Sequence, residues 1–236
     1  MAARHARSKG VLALTSTDLT SLGWDEHFST HFHALNDSSL RPARVTRVDR
    51  GACDLMAAQG AVRATLSPDV AAAAAHDPEQ HPCVGDWAAV RDSDRSGRDR
   101  PASLTHVLGR RTAFRRTGVT PGRSHAQVLA ANVDVALIVE PLRPAPDLGR
   151  IERLLALAWD SGALPVIALT KADLVTDAAE VRADVAAAAP GVDVSAVSSL
   201  DLPTLDPVRA QLAPGRTTAL LGPCLLYTSP SPRDRS

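Results

Sequence analysis

The spacing of apolar and polar positions changes character twice along the chain. Residues 1–40 open on a polar tail, then place Leu22-Gly23-Trp24 and a stretch through Leu35 whose spacing predicts a short amphipathic helix. From Ala43 the apolar residues fall into short runs at 44–48, 53–56, 61–66, 86–91, 104–108 and 112–115, punctuated by Gly51, Gly60, Gly85 and Gly97. Short strands separated by turn residues predict a small β-barrel of the OB type. After Pro121-Gly122 the period lengthens. A turn of helix is expected at 127–131, a strand at 133–139, a helix at 148–159 and a strand at 164–169. An Ala-rich helix at 177–189, a strand at 192–197, a helix at 206–212 and a strand at 216–221 follow. Strands alternating with helices predict a parallel, doubly wound sheet. The predicted fold is thus an OB-like β-barrel followed by an α/β domain: an N-terminal extension at 1–40, the barrel at 41–122 and a sheet domain at 123–223.

Composition narrows the class. With 236 residues, 44% hydrophobic and only 3% aromatic, the chain has room for two domains with aliphatic cores. No apolar run approaches the roughly 20 residues of a membrane span. Arg4 and Arg7 are followed by no apolar stretch of a secretory signal, so a cytoplasmic location away from membranes is expected. Cys53, Cys83 and Cys224 form neither a C-x-x-C pair nor a disulfide framework. His27, His31 and His33 read as a polar helix face rather than as metal ligands.

Balanced totals, 26 basic against 26 acidic residues, hide a local excess. Between Arg91 and Arg123 stand nine arginines against Asp92, Asp94 and Asp99. On an OB-like barrel this favours a nucleic-acid face, with Arg110, Arg111, Arg115 and Arg116 as candidate RNA contacts. A solvated Arg-rich loop is the alternative. The shortage of aromatics for stacking favours folded RNA over single strands.

Candidate chemistry lies at the strand ends. Ala168-Leu169-Thr170-Lys171-Ala172-Asp173-Leu174 is the end of a buried strand giving way to polar residues. In an open α/β sheet, ligands bind at the carboxyl ends of the strands. A carboxylate at Asp173 accepts two parallel hydrogen bonds, which matches the adjacent ring N–H and amino group of guanine and is repelled by the adenine edge. Lys171 would lay its stem on the base plane. The chain has only two lysines, Lys9 and Lys171, among its 26 basic residues, so a Lys here points to a geometry that guanidinium does not supply. Thr170 would brace a neighbouring loop. The alternative is a strand end followed by an N-cap Asp. One β-α unit later, Ser195-Ala196 is a second candidate base-binding loop, with the Ala196 N–H available to the guanine carbonyl.

The strand through Leu221 runs into Gly222, the first glycine expected of a phosphate loop. A G-x-x-x-x-G-K-[ST] loop wraps phosphates with backbone N–H groups and places a Lys on them. Counting from Gly222, the second glycine and the Lys positions hold Tyr227 and Thr228. Gly222 is therefore the one phosphate-binding candidate.

The basic barrel, the Ala131-Asn132-Val133-Asp134 entry and base motifs that precede the phosphate strand together resemble the circularly permuted, small-ribosomal-subunit-dependent GTPases of the RsgA (YjeQ, EngC) family. Leu22-Gly23-Trp24, Val84-Gly85-Asp86-Trp87, 110–116, Ile151-Glu152-Arg153 and 214–223 are also similar to its pattern. The resemblance runs from about residue 20 to 223. It implies a P-loop GTPase-like sheet, circularly permuted and here incomplete, with Thr170, Lys171 and Asp173 as the fourth GTPase motif and Ser195-Ala196 as the fifth. It implies GTP with Mg²⁺, a monomer, hydrolysis of GTP, and the small (30S) subunit with its 16S rRNA as partner during late maturation. Family members continue into switch motifs and a zinc-binding Cys/His domain, which these residues do not contain. Residues 224–236, Ser- and Pro-rich and holding the sole Tyr, read as an adapter-derived artefact, with a divergent natural C-terminus as the alternative. The 236-residue polypeptide is itself expected to be inactive. The competing expectation is a non-catalytic OB-fold RNA-binding module.

Overall fold

A computed structural model describes residues 18–92, 101–120 and 123–223, the side chains of 116–126 excepted. Five strands close the barrel: β1 (Leu40–Asp49), β2 (Ala52–Ala57), β3 (Gly60–Leu66), β4 (Trp87–Arg91) and β5 (Ala102–Val107), in the order β1-β2-β3-β5-β4. All neighbours are antiparallel except β3 and β5. Alternate residues, among them Val45, Leu55, Ala64, Val90 and Leu104, fill its interior. Branched and small aliphatic side chains suit that narrow space, which is why so few aromatics suffice.

Two helices seal the barrel. Helix α1 (Glu26–His33) starts at Asp25, whose carboxylate accepts the Phe28 N–H, and buries Phe28 against Trp87 and Leu108. The N-terminal stretch is thus packed on the barrel. Helix α2 (Pro68–His76) has no counterpart in the sequence reading. Ser67 caps it by accepting the Val70 N–H, Pro68 pre-sets its first turn, and Val70 enters the barrel core.

A two-stranded ribbon, β6 (Ala113–Thr120) and β7 (Arg123–Ala131), follows. The helical turn expected at 127–131 is instead part of β7. Val128 is buried between the exposed Gln127 and Leu129, the alternation of a strand paired with β6, and a bulge at Leu129, where Phe114 pairs with Ala130 and Arg115 with Val128, shifts the phase so that Ala131 is buried as well. The expected domain boundary at 122/123 falls between the two strands of this ribbon.

The last four strands are β8 (Val135–Pro141), β9 (Leu164–Thr170), β10 (Asp193–Ala196) and β11 (Thr218–Leu221), all parallel in the order β10-β9-β8-β11. Helices α3 (Leu148–Ser161) and α4 (Ala178–Ala188) pack on one face through Ile151, Leu155 and Val185 against Ile138, Ile167 and Leu169. Helix α5 (Asp206–Ala210) lies on the other, with Val208 against Leu137, Val166 and Ala168. Strands progress from β8 to β10 in one direction, then β11 returns to the opposite side of β8. The crevice at the carboxyl ends of β8 and β11 is therefore the topological switch point.

Barrel and sheet meet at Asn132. It is almost fully buried with φ +54, a left-handed conformation that Asn tolerates better than most residues. Its amide donates to the Gly85 carbonyl and accepts the Arg111 N–H, and its own carbonyl accepts from Arg44. Arg44, buried and lying over the Trp87 ring, also donates to the Leu22 carbonyl. Gly85 has φ +92, and a Cβ there would stand 2.1 Å from the Ala131 carbonyl oxygen. Only glycine lets the β4 approach and β7 come this close.

Candidate functional site

Thr170 is the last residue of β9. Its hydroxyl donates to the Glu140 carbonyl at 3.4 Å and its carbonyl accepts the Leu142 N–H, so it braces the loop that leaves β8. Glu140 itself is fully buried. Its carboxylate takes two bonds from Arg150 and the Asp147 N–H, which fixes the start of α3 beneath this loop. The bonds to Glu140 hold the Arg150 guanidinium above its ordinary pKa.

Beyond Thr170 the chain turns through Lys171 at φ +63 into a one-turn helix, Ala172–Leu174. A non-glycine residue in this region is uncommon and costs about 1–3 kcal/mol where the surroundings impose it. Here it leaves the Lys171 and Asp173 side chains exposed just beyond the carboxyl end of β9. Backbone bonds from Ala172 N–H to the Val197 carbonyl and from Val197 N–H to the Leu169 carbonyl lace this turn to the chain leaving β10.

The second loop differs from the one read in the sequence. Ser195 and Ala196 are the last two residues of β10, in register with Ala168 and Leu169, and are still strand. The hydroxyl that reaches Asp173 belongs to Ser198. Ser198, 3% exposed, donates to Asp173 Oδ1 and accepts the Leu200 N–H, while its own N–H goes to the Thr204 hydroxyl. The strand must run through Val197 to complete its bond to Leu169, so the loop begins at Ser198 and Ser199 rather than at Ser195. A second Ser-containing pair, Ser198-Ser199, stood in the sequence. Only its position relative to the end of β10 distinguishes it.

What this arrangement offers is one carboxylate aimed by a buried hydroxyl. Ser198 occupies one lone pair of Oδ1, leaving the other and both lone pairs of Oδ2 as outward acceptors for two adjacent N–H donors.

At the switch point, Gly222 directly follows β11, and a Cβ there would stand 2.3 Å from the Val139 carbonyl oxygen. It is held against β8 where a loop entering the crevice must start. Positions 227 and 228 lie outside the described residues. Among the described residues no cluster of three or more His, Cys, Asp or Glu is placed to hold a metal ion.

The candidate RNA-contacting arginines have partners within the chain. Arg110 donates from Nε and a terminal nitrogen to the fully buried Asp86, both at 2.7 Å, and to the Glu79 and His81 carbonyls. Burial lowers its pKa, but the bonds to Asp86 more than offset this and hold it above its ordinary value. Arg111 lies over the Phe28 ring and pairs with Asp25. Arg115 pairs with Glu79 at 3.2 Å with about half of its side chain exposed. The Arg116 side chain lies outside the described residues.

A family profile described as RsgA GTPase matches residues 107–224. The small ribosomal subunit biogenesis GTPase RsgA of Streptomyces coelicolor is 45% identical over 207 residues, covering 86% of this chain and 54% of that protein. Its counterpart from Streptomyces avermitilis is 44% identical over 216 residues, covering 90% and 55%. The chain thus spans about half the length of these curated relatives. Among solved structures, YjeQ from Thermotoga maritima superposes with a TM-score of 0.60 at 16% identity, over 80% of this chain and 63% of that one. YloQ, described as a circularly permuted GTPase, superposes with a TM-score of 0.54 at 18% identity, over 80% and 62%. These two similarities bear on the fold.

Proposed function

The chain belongs to the RsgA GTPase family, and from that premise we propose that it carries the guanine-reading and RNA-binding parts of a GTPase acting in maturation of the small ribosomal subunit. The observation that carries the proposal is Asp173, standing at the carboxyl end of β9 and aimed by the buried Ser198 hydroxyl. Guanine would present its ring N–H and amino group to this carboxylate. Lys171 would cover the base with its alkyl stem, and, since the Ser198 N–H is held by Thr204, the Ser199 N–H would be the donor to the base carbonyl. Thr170 ties the turn at Lys171 to the loop leaving β8.

In the complete cycle the triphosphate and Mg²⁺ supply the chemistry, and the enzyme's part is positioning and electrostatic stabilisation. The residues following Gly222 do not fit that group, because Tyr227 and Thr228 stand where glycine and lysine are required. The 236-residue polypeptide therefore recognises the base and leaves GTP unhydrolysed. The barrel binds 16S rRNA of the 30S subunit through guanidinium groups that exchange their carboxylate partners for phosphates, with Arg111 and Arg115 better placed for this than the inward-facing Arg110. A cytoplasmic monomer is the form that such a role needs.

Titrating the isotopically labelled chain with guanosine and adenosine monophosphates, followed by amide chemical shifts, tests the reading. Guanosine monophosphate should move Lys171, Ala172, Asp173, Ser198 and Ser199, and adenosine monophosphate should not. Equal responses, or none at these loops while RNA still binds, would make the chain an RNA-binding module with an inert sheet.

A further inference from the structure

We propose that a cavity on the barrel, between α2 and the end of β5, seats an arginine or lysine side chain from a basic segment of a partner protein. The cavity measures about 420 Å³, within the usual range of roughly 300–1,000 Å³ for ligand pockets. It is remote in sequence from the base-reading loops and independent of them.

The lining suits a long cationic side chain. Val70, Ala73 and Leu108 supply apolar surface, and Asp69 and Glu79 bring two acidic residues to the lining. The guanidinium of Arg110 and the His106 ring also line the cavity, and four of the five Arg110 donors are engaged by Asp86 and by the Glu79 and His81 carbonyls. An aliphatic stem would lie on the apolar residues while its charged head reached the carboxylates, the way long basic side chains ordinarily divide themselves.

The chain already demonstrates the chemistry. One guanidinium, Arg110, is built into the wall, and a second, Arg115, docks on the Glu79 carboxylate. The wall is an array of acceptors to which guanidinium groups adhere. Nucleic acid is the poorer occupant, since its phosphates would face Asp69 and Glu79. An incoming guanidinium competes with Arg115 for Glu79 and would release Arg115 to solvent.

The test uses the whole chain and a fluorescein-labelled Gly-Ser-Arg-Gly-Arg-Ser-Gly peptide, compared with the same peptide carrying uncharged citrulline for arginine. Fluorescence anisotropy should show the citrulline peptide binding about two- to fivefold more weakly, the scale of a lost exposed ion pair. Asp69→Asn, an exposed change in the first turn of α2, should weaken the arginine peptide similarly. Ala73→Leu, which fills the cavity without changing charge, should abolish binding, and peptide-induced amide shifts should centre on Ala73, Val107 and Leu108. Thermal melts of both variants at the wild-type temperature confirm intact barrels. Indifference to citrulline, indifference of folded variants, shifts centred elsewhere, or displacement of the peptide by an oligouridine that loses affinity in the same variants would each overturn the proposal.

Discussion

Replacing Arg110 by Met removes the guanidinium that pairs with a carboxylate having no solvent contact. Asp86 is 0% exposed and accepts two bonds from Arg110 and one from the Cys83 N–H. In the variant it keeps only the Cys83 bond. Breaking a buried pair by deleting one partner costs about 3–5 kcal/mol. Water entering through the cavity that Arg110 lines relieves part of this, which places the expectation near the lower end. With a urea slope of about 2 kcal/mol/M, a loss of about 3 kcal/mol lowers the unfolding midpoint by about 1.5 M. Tryptophan fluorescence follows the transition, because Trp87 packs against Leu108 beside the pair. The double variant Asp86→Asn with Arg110→Met should lose less than the sum of the single changes, since no unpaired charge remains. Arg110→Met should leave the salt dependence of RNA binding unchanged, whereas Arg115→Ala should reduce the log–log slope by about 0.7–0.9. An unchanged midpoint together with a reduced slope for Arg110→Met would refute the assignment of Arg110 to the interior.

Ser198→Ala should weaken guanosine monophosphate about fivefold, the scale of one lost hydrogen bond near 1 kcal/mol, without altering base preference; unchanged affinity in a shift titration would remove Ser198 from the site. Gly85→Ala should lower the melting temperature by about 5 °C or more, because the left-handed backbone alone costs roughly 1–2 kcal/mol and the new Cβ meets the Ala131 carbonyl oxygen; a wild-type melt would contradict the close approach. Burial pushes the Cys53 and Cys83 thiols up to about 11 and about 12. Because these folded values lie above the unfolded one, the stability they represent is intact below about pH 9 and is lost as pH rises from there towards 11 and beyond. Melts between pH 8 and 11 should therefore show a steeper alkaline loss for wild type than for a Cys53→Ala, Cys83→Ala variant, and parallel curves would refute this.

Strand and helix periodicity made most of the architecture legible. The barrel strands were readable because turn residues separate short apolar runs and because β2 and β3 alternate in burial, although β4 does not. The central sheet strands β8 and β9 were readable because burial on both faces makes them nearly continuous apolar runs. Residues 127–131 misled because Val128, Ala130 and Ala131 in an Ala-rich stretch satisfy helical and strand spacing alike, and only the partner strand β6 decides between them. Helix α2 was passed over although Ser67-Pro68-Asp69 before an alanine run is a helix start. At the candidate site, the placement of Thr170, Lys171 and Asp173 at the end of a buried strand was readable from the apolar run before them. The place of Ser198 was not, because two serine-containing pairs lie within five residues and strand register selects between them. The inward turn of Arg110 was equally invisible, since an arginine count does not reveal a buried Asp86 waiting for it.

Base selection by Asp173 is tested most directly by Asp173→Asn, titrated with guanosine and xanthosine monophosphates beside wild type. The amide N–H would face a guanine donor, and loss of a charge-assisted bond costs roughly 1.5–3 kcal/mol, so guanosine affinity should fall at least about tenfold. Xanthine carries a carbonyl in place of the guanine amino group and can accept from that same N–H. Wild type should prefer guanosine monophosphate, and the variant should prefer xanthosine monophosphate. An unchanged order of preference in a folded variant would mean that Asp173 only ties its turn to Ser198 and that the base, if bound, is read elsewhere.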